Sequence, residues 1–232
     1  MAIAQVGSAV ESFFAPATTP PVMTLPSGLS AGHQLIYSAV TETNHAAGTP
    51  PSGHNIVGSV QNMSTDASLC VYQYEVTGSE GSSITLTDFF AATERGHIIC
   101  TAWSGVDSTT PVEASTQGVT AGSSATSVSA SSITPSDDDR MFVMFTGCDP
   151  TSSAYSGTPD SSPVATEIFD GKSTGNRAYT HVQHYLQATA AALGLDVTSL
   201  TGDRYGYLQL TLTPAAVAGG IEILRRRLEG HA

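Results

Sequence analysis

RGHIICTAWSGVDSTTPVEA occupies positions 95–114, and the architecture of the chain can be read outward from it. Its first part, His97-Ile98-Ile99-Cys100-Thr101-Ala102-Trp103, is a run of apolar and β-branched residues with the length and composition of a buried strand. The run stops at Ser104-Gly105, where only glycine enters a left-handed turn without steric cost. Asp107-Ser108-Thr109-Thr110-Pro111 follows as a loop whose side chains can bond their own backbone, and Pro111 fixes the exit. A strand carrying the chain's single Trp, leading into a turn-rich crossover, suits the middle of a β-sandwich. It does not have the pattern of an active site.

The same punctuation recurs on both sides. Upstream, Val22–Leu25, Gly32–Val40, Ile56–Val60, Ser68–Val76 and Ser83–Thr87 read as strands separated by turn residues. Tyr72, Tyr74 and Val76 share one face by the two-residue period, and Ile84 and Leu86 point one way while Ser and Thr point the other. Downstream, Thr116–Ser132 is a Ser/Thr/Ala/Gly tract, a linker or an edge strand, and the alternation at Ser127–Ala130 favours strand. Ser136–Asp139 is a turn before Arg140–Thr146, the most apolar strand, and 148–162 is a polar loop. Ala165–Phe169 precedes an Asp170-Gly171 turn. Arg177–Leu186 then places Tyr179, His181, Gln183 and Tyr185 on one face. Leu186–Leu193 is either a continuation or a helical turn ended by Gly194. Arg204–Pro214 closes the series, with Tyr205, Tyr207, Gln209 and Thr211 opposite Gly206, Leu208, Leu210 and Leu212. About ten strands with hardly a helix-period segment predict an all-β chain, an antiparallel β-sandwich of jelly-roll-like form. The sandwich is expected over residues 16–214, after an extended N-terminal arm (1–15) and before a linker and C-terminal docking tail (215–232).

Composition narrows the function. Net charge is −12, so the body repels phosphate and general nucleic-acid binding is not expected. Charged residues make up 12%, about half the usual share, which leaves Ser and Thr to face the water. Cys70, Cys100 and Cys148 are odd in number and each sits in an apolar run, as free cysteines of a reducing compartment do. The opening MAIAQVGSAVESFFAPA has no Lys or Arg before its apolar part, so a cleaved signal peptide is not expected. No run approaches the roughly 18 apolar residues that span a bilayer, and membrane insertion is not expected.

The two ends differ from the body. Phe13-Phe14 must be buried on the body or on a neighbour. Ile221, Ile223, Leu224 and Leu228 alternate with Glu222 and Arg225-Arg226-Arg227 in a short amphipathic segment, and those three arginines stand against eight basic residues in the whole chain. Phe13, Phe14 and this segment are the expected partner-docking residues.

The run TTPPVMTLPSGLSAGHQLIYSAV (18–40) resembles the opening of a β-sandwich family common among structural proteins of tailed bacteriophages and prophages. There a Pro-x-Gly-x-x-x-Gly-Asp-x-Leu turn leads into the second strand; here Pro26, Gly28, Gly32 and Leu35 match, with His33 in place of Asp. PPSGHNIVGSV, LCVYQYEV, TAWSGVDSTTPVEA and YLQLTLTPA follow in the family's order, and the resemblance covers residues 16–214. His54 stands where the family often has Trp. The resemblance implies a virion accessory part assembled in the bacterial cytoplasm: a head decoration, head-fibre base or tail-appended module. Its implied partners are capsid, portal-vertex or tail subunits and further copies of itself, and some relatives are linked to host-surface glycans. It carries over no catalytic motif.

Candidate chemistry is sparse. His181-x-x-His184 puts its imidazoles on opposite faces of a strand, and zinc would need a third ligand. Asp137-Asp138-Asp139 offers hard oxygens to calcium but reads as a solvated turn. No Gly-x-Ser-x-Gly elbow is present and no carboxylate pair can be assigned, so neither an enzyme nor a cofactor is expected. Tyr155, Tyr179, Tyr185, Tyr205 and Tyr207 are the candidate glycan-binding residues, because aromatic faces stack on sugar C–H groups.

Overall fold

The computed structural model describes residues 2–14, 20–42, 50–63, 67–86, 95–122, 124–150, 155–173 and 178–216. In chain order the strands are β1 (Ala4–Gln5), β2 (Val10–Phe14), β3 (Val22–Thr24), β4 (Gln34–Thr41), β5 (His54–Met63), β6 (Ala67–Glu75), β7 (Ser83–Thr85) and β8 (Gly96–Ser104). They continue with β9 (Val112–Val119), β10 (Val128–Ser129), β11 (Arg140–Cys148), β12 (Thr158–Pro159), β13 (Thr166–Lys172), β14 (Tyr179–Gln187), β15 (Asp196–Thr198) and β16 (Gly206–Leu212). Among the described residues there is no helix.

Two antiparallel sheets face each other. One has the order β1-β8-β4-β6-β5, with β2 also on β8; the other runs β13-β14-β11-β16-β9. Between them lie Ile36, Val40, Leu69, Val71, Ile99 and Trp103 from the first sheet and Val143, Phe145, Val182, Leu208 and Leu210 from the second. Trp103 is fully buried: its Nε1–H donates to Thr101 Oγ1, Thr101 O–H donates to the Ile36 carbonyl, and its ring lies 5.5 Å from that of His184. The crossover after Trp103 passes from the first sheet to the second, as its turn chemistry predicts. Gly105 takes φ +70, and Asp107 Oδ1 accepts the N–H groups of Thr109 and Thr110 at 2.8 Å each.

Each sheet is covered on its outer side as well. The β3–β7 pair lays Met23, Leu25 and Leu86 over Leu35, Tyr37, Tyr72, Ile98 and Cys100. The three-stranded β10-β15-β12 sheet covers the second, where Gln209 exchanges bonds with Leu195 N–H and the Leu193 carbonyl, and Gln183 donates to the Asp196 carbonyl. Burial on both faces explains why β4, β8 and β11 read as continuous apolar runs instead of alternating. Cys70, Cys100 and Cys148 are all buried, and none of them forms a disulfide.

Three local expectations differ from the structure. The N-terminal arm is extended, but it lies along its own body: Val10–Phe14 pairs with Cys100–Gly96, so the sandwich begins at Ala4 and not at residue 16. Asp170-Gly171 is no turn; β13 continues through it to Lys172. Leu186–Leu193 forms no helical turn, because the backbone of Leu193 is taken by a bridge to Ile133 and the Ala130 carbonyl packs against Gly194.

Candidate functional site

The β11–β14–β13 ladder decides where the candidate side chains point. His181 lies opposite Thr146 and His184 opposite Val143, so the two imidazoles fall on opposite faces, as a strand requires. His184 faces inward against Trp103, where burial lowers its pKa. His181 faces outward under the small sheet.

What His181 meets there depends on a β-bulge. In a regular strand Glu167 and Asp170, three residues apart, would project to opposite sides. The β13–β14 register shifts between Glu167 and Phe169, leaving Glu167 opposite Gln183 and Asp170 opposite His181. Both carboxylates therefore stand on the face that carries His181. Nδ1 of His181 is 3.9 Å from Glu167 Oε2 and 4.0 Å from Asp170 Oδ1. The three donor atoms all lie within 4.8 Å of one another.

The second carboxylate is held firmly. Tyr179 O–H donates to Asp170 Oδ1 at 2.7 Å, and Gly157 N–H donates to Oδ2 at 3.2 Å. Glu167 is freer, its side chain 45% exposed against 0% for His181. Burial raises the Glu167 pKa and the Asp170 carboxylate adds to the effect. Burial also pushes His181 down to about 4, with Asp170 and the neighbouring Gln183 side chain opposing, so the ring is neutral at pH 7. Among the described residues no group meets either ring nitrogen of His181 at hydrogen-bond distance and angle, the Gln183 side chain approaching without completing a bond. Gly157 lies over the group; a Cβ there would stand 3.1 Å from His181 Nδ1.

The tyrosines are distributed differently from a stacking platform. Tyr155, Tyr179 and Tyr205 gather in one buried cluster, with ring centroids 5.6 and 6.3 Å apart along the series. Their hydroxyls reach Asp203, Asp170 and the Thr201 carbonyl respectively. A sugar cannot lie on rings so covered. Tyr185 and Tyr207 are part-exposed, but they stand level with Phe142 and Thr146, on opposite sides of β11. His54, at the position where an exposed Trp would serve stacking, is buried, bonded through Nδ1 to Tyr37 O–H at 2.7 Å and stacked on Tyr74.

Two of the three turn aspartates are already engaged. Asp137 Oδ2 accepts from Arg140 Nη2 at 3.2 Å, and Asp138 Oδ1 accepts the Ala190 N–H at 2.7 Å. Of the docking residues, Phe14 packs on Gly96 of its own sheet, while Phe13 is 45% exposed and stacks on His97. Ile221, Ile223, Leu224, Arg225, Arg226, Arg227 and Leu228 lie outside the described residues.

Sequence reading missed the Glu167–Asp170–His181 group because a bulge cannot be seen in a two-residue period. The trace it leaves is an acidic pair at odd spacing on a strand whose partner carries a histidine. Comparison of the chain with protein-family models, with curated proteins and with solved structures finds no match in any of the three.

Proposed function

We propose that the chain is a non-enzymatic structural protein of a bacteriophage virion, assembled in the bacterial cytoplasm, that decorates or stabilises the particle at the head, a fibre base or the tail through symmetric subunit contacts. The observation that carries this reading is where the body's two ends lie. Ala2 and Ile3 share one shallow cavity with Pro214, Ala215 and Ala216, and Ala215 N–H donates to the Gly105 carbonyl at 2.7 Å. Asp138 and Asp139 line the same cavity. Residues 217–232, with their three consecutive arginines, thus follow from an acidic rim on a body whose two broad faces are both covered. Such a body suits attachment at one pole, with basic tails meeting acidic rims of neighbouring copies or of other virion subunits. The likeness of residues 16–214 to phage β-sandwich proteins supports the same reading.

The test is retention in particles. Full-length protein should remain with particles through density-gradient sedimentation. A chain ending at Ala216 should keep its β-type far-ultraviolet dichroism yet stay in the soluble fraction. Particles that retain the shortened chain as well as the full one, or that never contain the full chain, overturn the proposal.

A further inference from the structure

We propose that Glu167, Asp170 and His181 form a binding site for a divalent cation of the zinc class, pinning the bulged edge strand β13 to β14. Two acidic groups near each other would not suffice, since exposed carboxylates often pair without a ligand. The informative member is His181. Its side chain is fully buried, both ring nitrogens lack hydrogen-bond partners among the described residues, and Nδ1 is aimed between the two carboxylates. A buried imidazole nitrogen left unpaired is costly, and a ligand on Nδ1 would offset that cost for one of the two nitrogens.

The geometry fits such an ion. Donor atoms about 2.1 Å from a tetrahedral centre are roughly 3.4 Å apart. The 3.9 Å separation from Glu167 closes with a small swing of that exposed side chain, and the 4.0 Å separation from Asp170 needs a shift of about half an ångström between the two strands' side chains. Asp170 is already oriented by Tyr179 O–H and Gly157 N–H, as a metal-binding carboxylate usually is by groups around it. Gly157 contributes a second feature, because a side chain at that position would press on Tyr179 Oη and His181 Nδ1.

The donor set selects the class of ion. One neutral imidazole and two carboxylates suit zinc and its first-row neighbours, whereas calcium prefers six to eight oxygens. Three protein donors with Glu167 at the surface leave the fourth position to water. The inference does not depend on the virion reading, and either can fail alone.

The experiment uses the full chain, freed of metal by chelator and gel filtration. Zinc chloride should bind at one ion per chain by elemental analysis after a second gel filtration, and should raise the thermal midpoint. Glu167→Gln alters an exposed side chain and should fold normally while losing zinc affinity at least tenfold. His181→Phe should abolish retention; if that variant does not fold, Glu167→Gln alone carries the test. Zinc affinity unchanged in Glu167→Gln would assign the metal to another histidine and overturn the proposal. So would failure to retain zinc, or a midpoint raised by calcium and not by zinc.

Discussion

Ser59 of β5 donates its backbone N–H to Gln117 Oε1 of β9, 2.8 Å away, and so joins the edges of two sheets that share no ladder among the described residues. Gln117 Nε2 also reaches Ser59 Oγ. The contact is possible because Gly58, at φ +69 in the β5 bulge, has no side chain; a Cβ would collide with Gln117 Oε1. Gly58→Ala should destabilise the protein by about 2 kcal/mol, from left-handed strain and the displaced hydrogen bond. In a Gln117→Ala background the same change should cost about 1 kcal/mol, since the strain and a 3.1 Å approach to Leu208 Cδ1 remain while the hydrogen bond is already gone. Urea denaturation of the four proteins checks this, and equal costs in both backgrounds would count against the seal.

Arg140 is 6% exposed and rests on Glu113, with Nε 2.5 Å from Oε2, while Ser136 N–H holds the other oxygen at 2.6 Å. Burial raises the Glu113 pKa, but the bonds from Ser136 and Arg140 outweigh it and leave the carboxyl below its ordinary value. Glu113→Ala leaves a buried guanidinium that keeps, among the described residues, Asp137 and the Asp138 carbonyl. The expected loss is about 3 kcal/mol, and Arg140→Met should cost less because it removes the charge that needs a partner. Denaturation midpoints that rank the two variants the other way would refute this account.

His97 gives the fold an acid limit. Its ring is fully buried between Phe13 and Phe169, with Thr180 Oγ1 3.5 Å from Nδ1 and the Glu11 carboxylate 3.4 Å from Nε2. Burial pushes its pKa down to about 4, and Glu11, nearly half exposed, does not offset that. The unfolded chain binds this proton near pH 6.5 and the folded chain only near pH 4, so the folded state is favoured above 6.5. That share of stability, up to about 3 kcal/mol, is lost as pH falls from 6.5 to 4 and is constant below. His54, lowered to about 4 by the same cause, adds to the slope. His97→Phe should flatten the dependence of the urea midpoint on pH across that window. An unchanged slope would remove His97 from the explanation.

Phe14 lies over Gly96, its partner in the β2–β8 ladder, in the space a side chain at 96 would fill. Phe14→Ala should therefore cost about 2 kcal/mol, as a partly buried ring is lost. It should also raise hydrogen exchange at Ile98 and Cys100, the β8 residues that β2 covers. Protection in β8 that stays at the wild-type level would mean that β2 contributes little to holding that edge.

These cases show which parts of the molecule were legible in the sequence. β8, β11 and β16 declare themselves because apolar runs bounded by Gly, Pro and Asp have few other solutions. The faces of β14 and β16 follow from strict alternation, which the ladders bear out for Tyr179, His181, Gln183 and Tyr185. Which strand covers which face is another matter. Whether Tyr179 stacks on a sugar or orients Asp170 depends on β10, β12 and β15, short strands whose sequences carry almost no periodic signal. The bulge at Glu167–Phe169 is likewise set by tertiary packing, since nothing local in Glu167-Ile168-Phe169 demands an extra residue there.

The meeting of Ala2 with Ala216 at one cavity has a practical corollary. A body entered at Ala2 and left at Ala216 can be grafted into a surface loop of an unrelated host, because the host need not stretch to bridge those two points. The inserted body would display the pole bearing Tyr155, Tyr179 and Cys148, the far end of β11 and β14, outward from the graft.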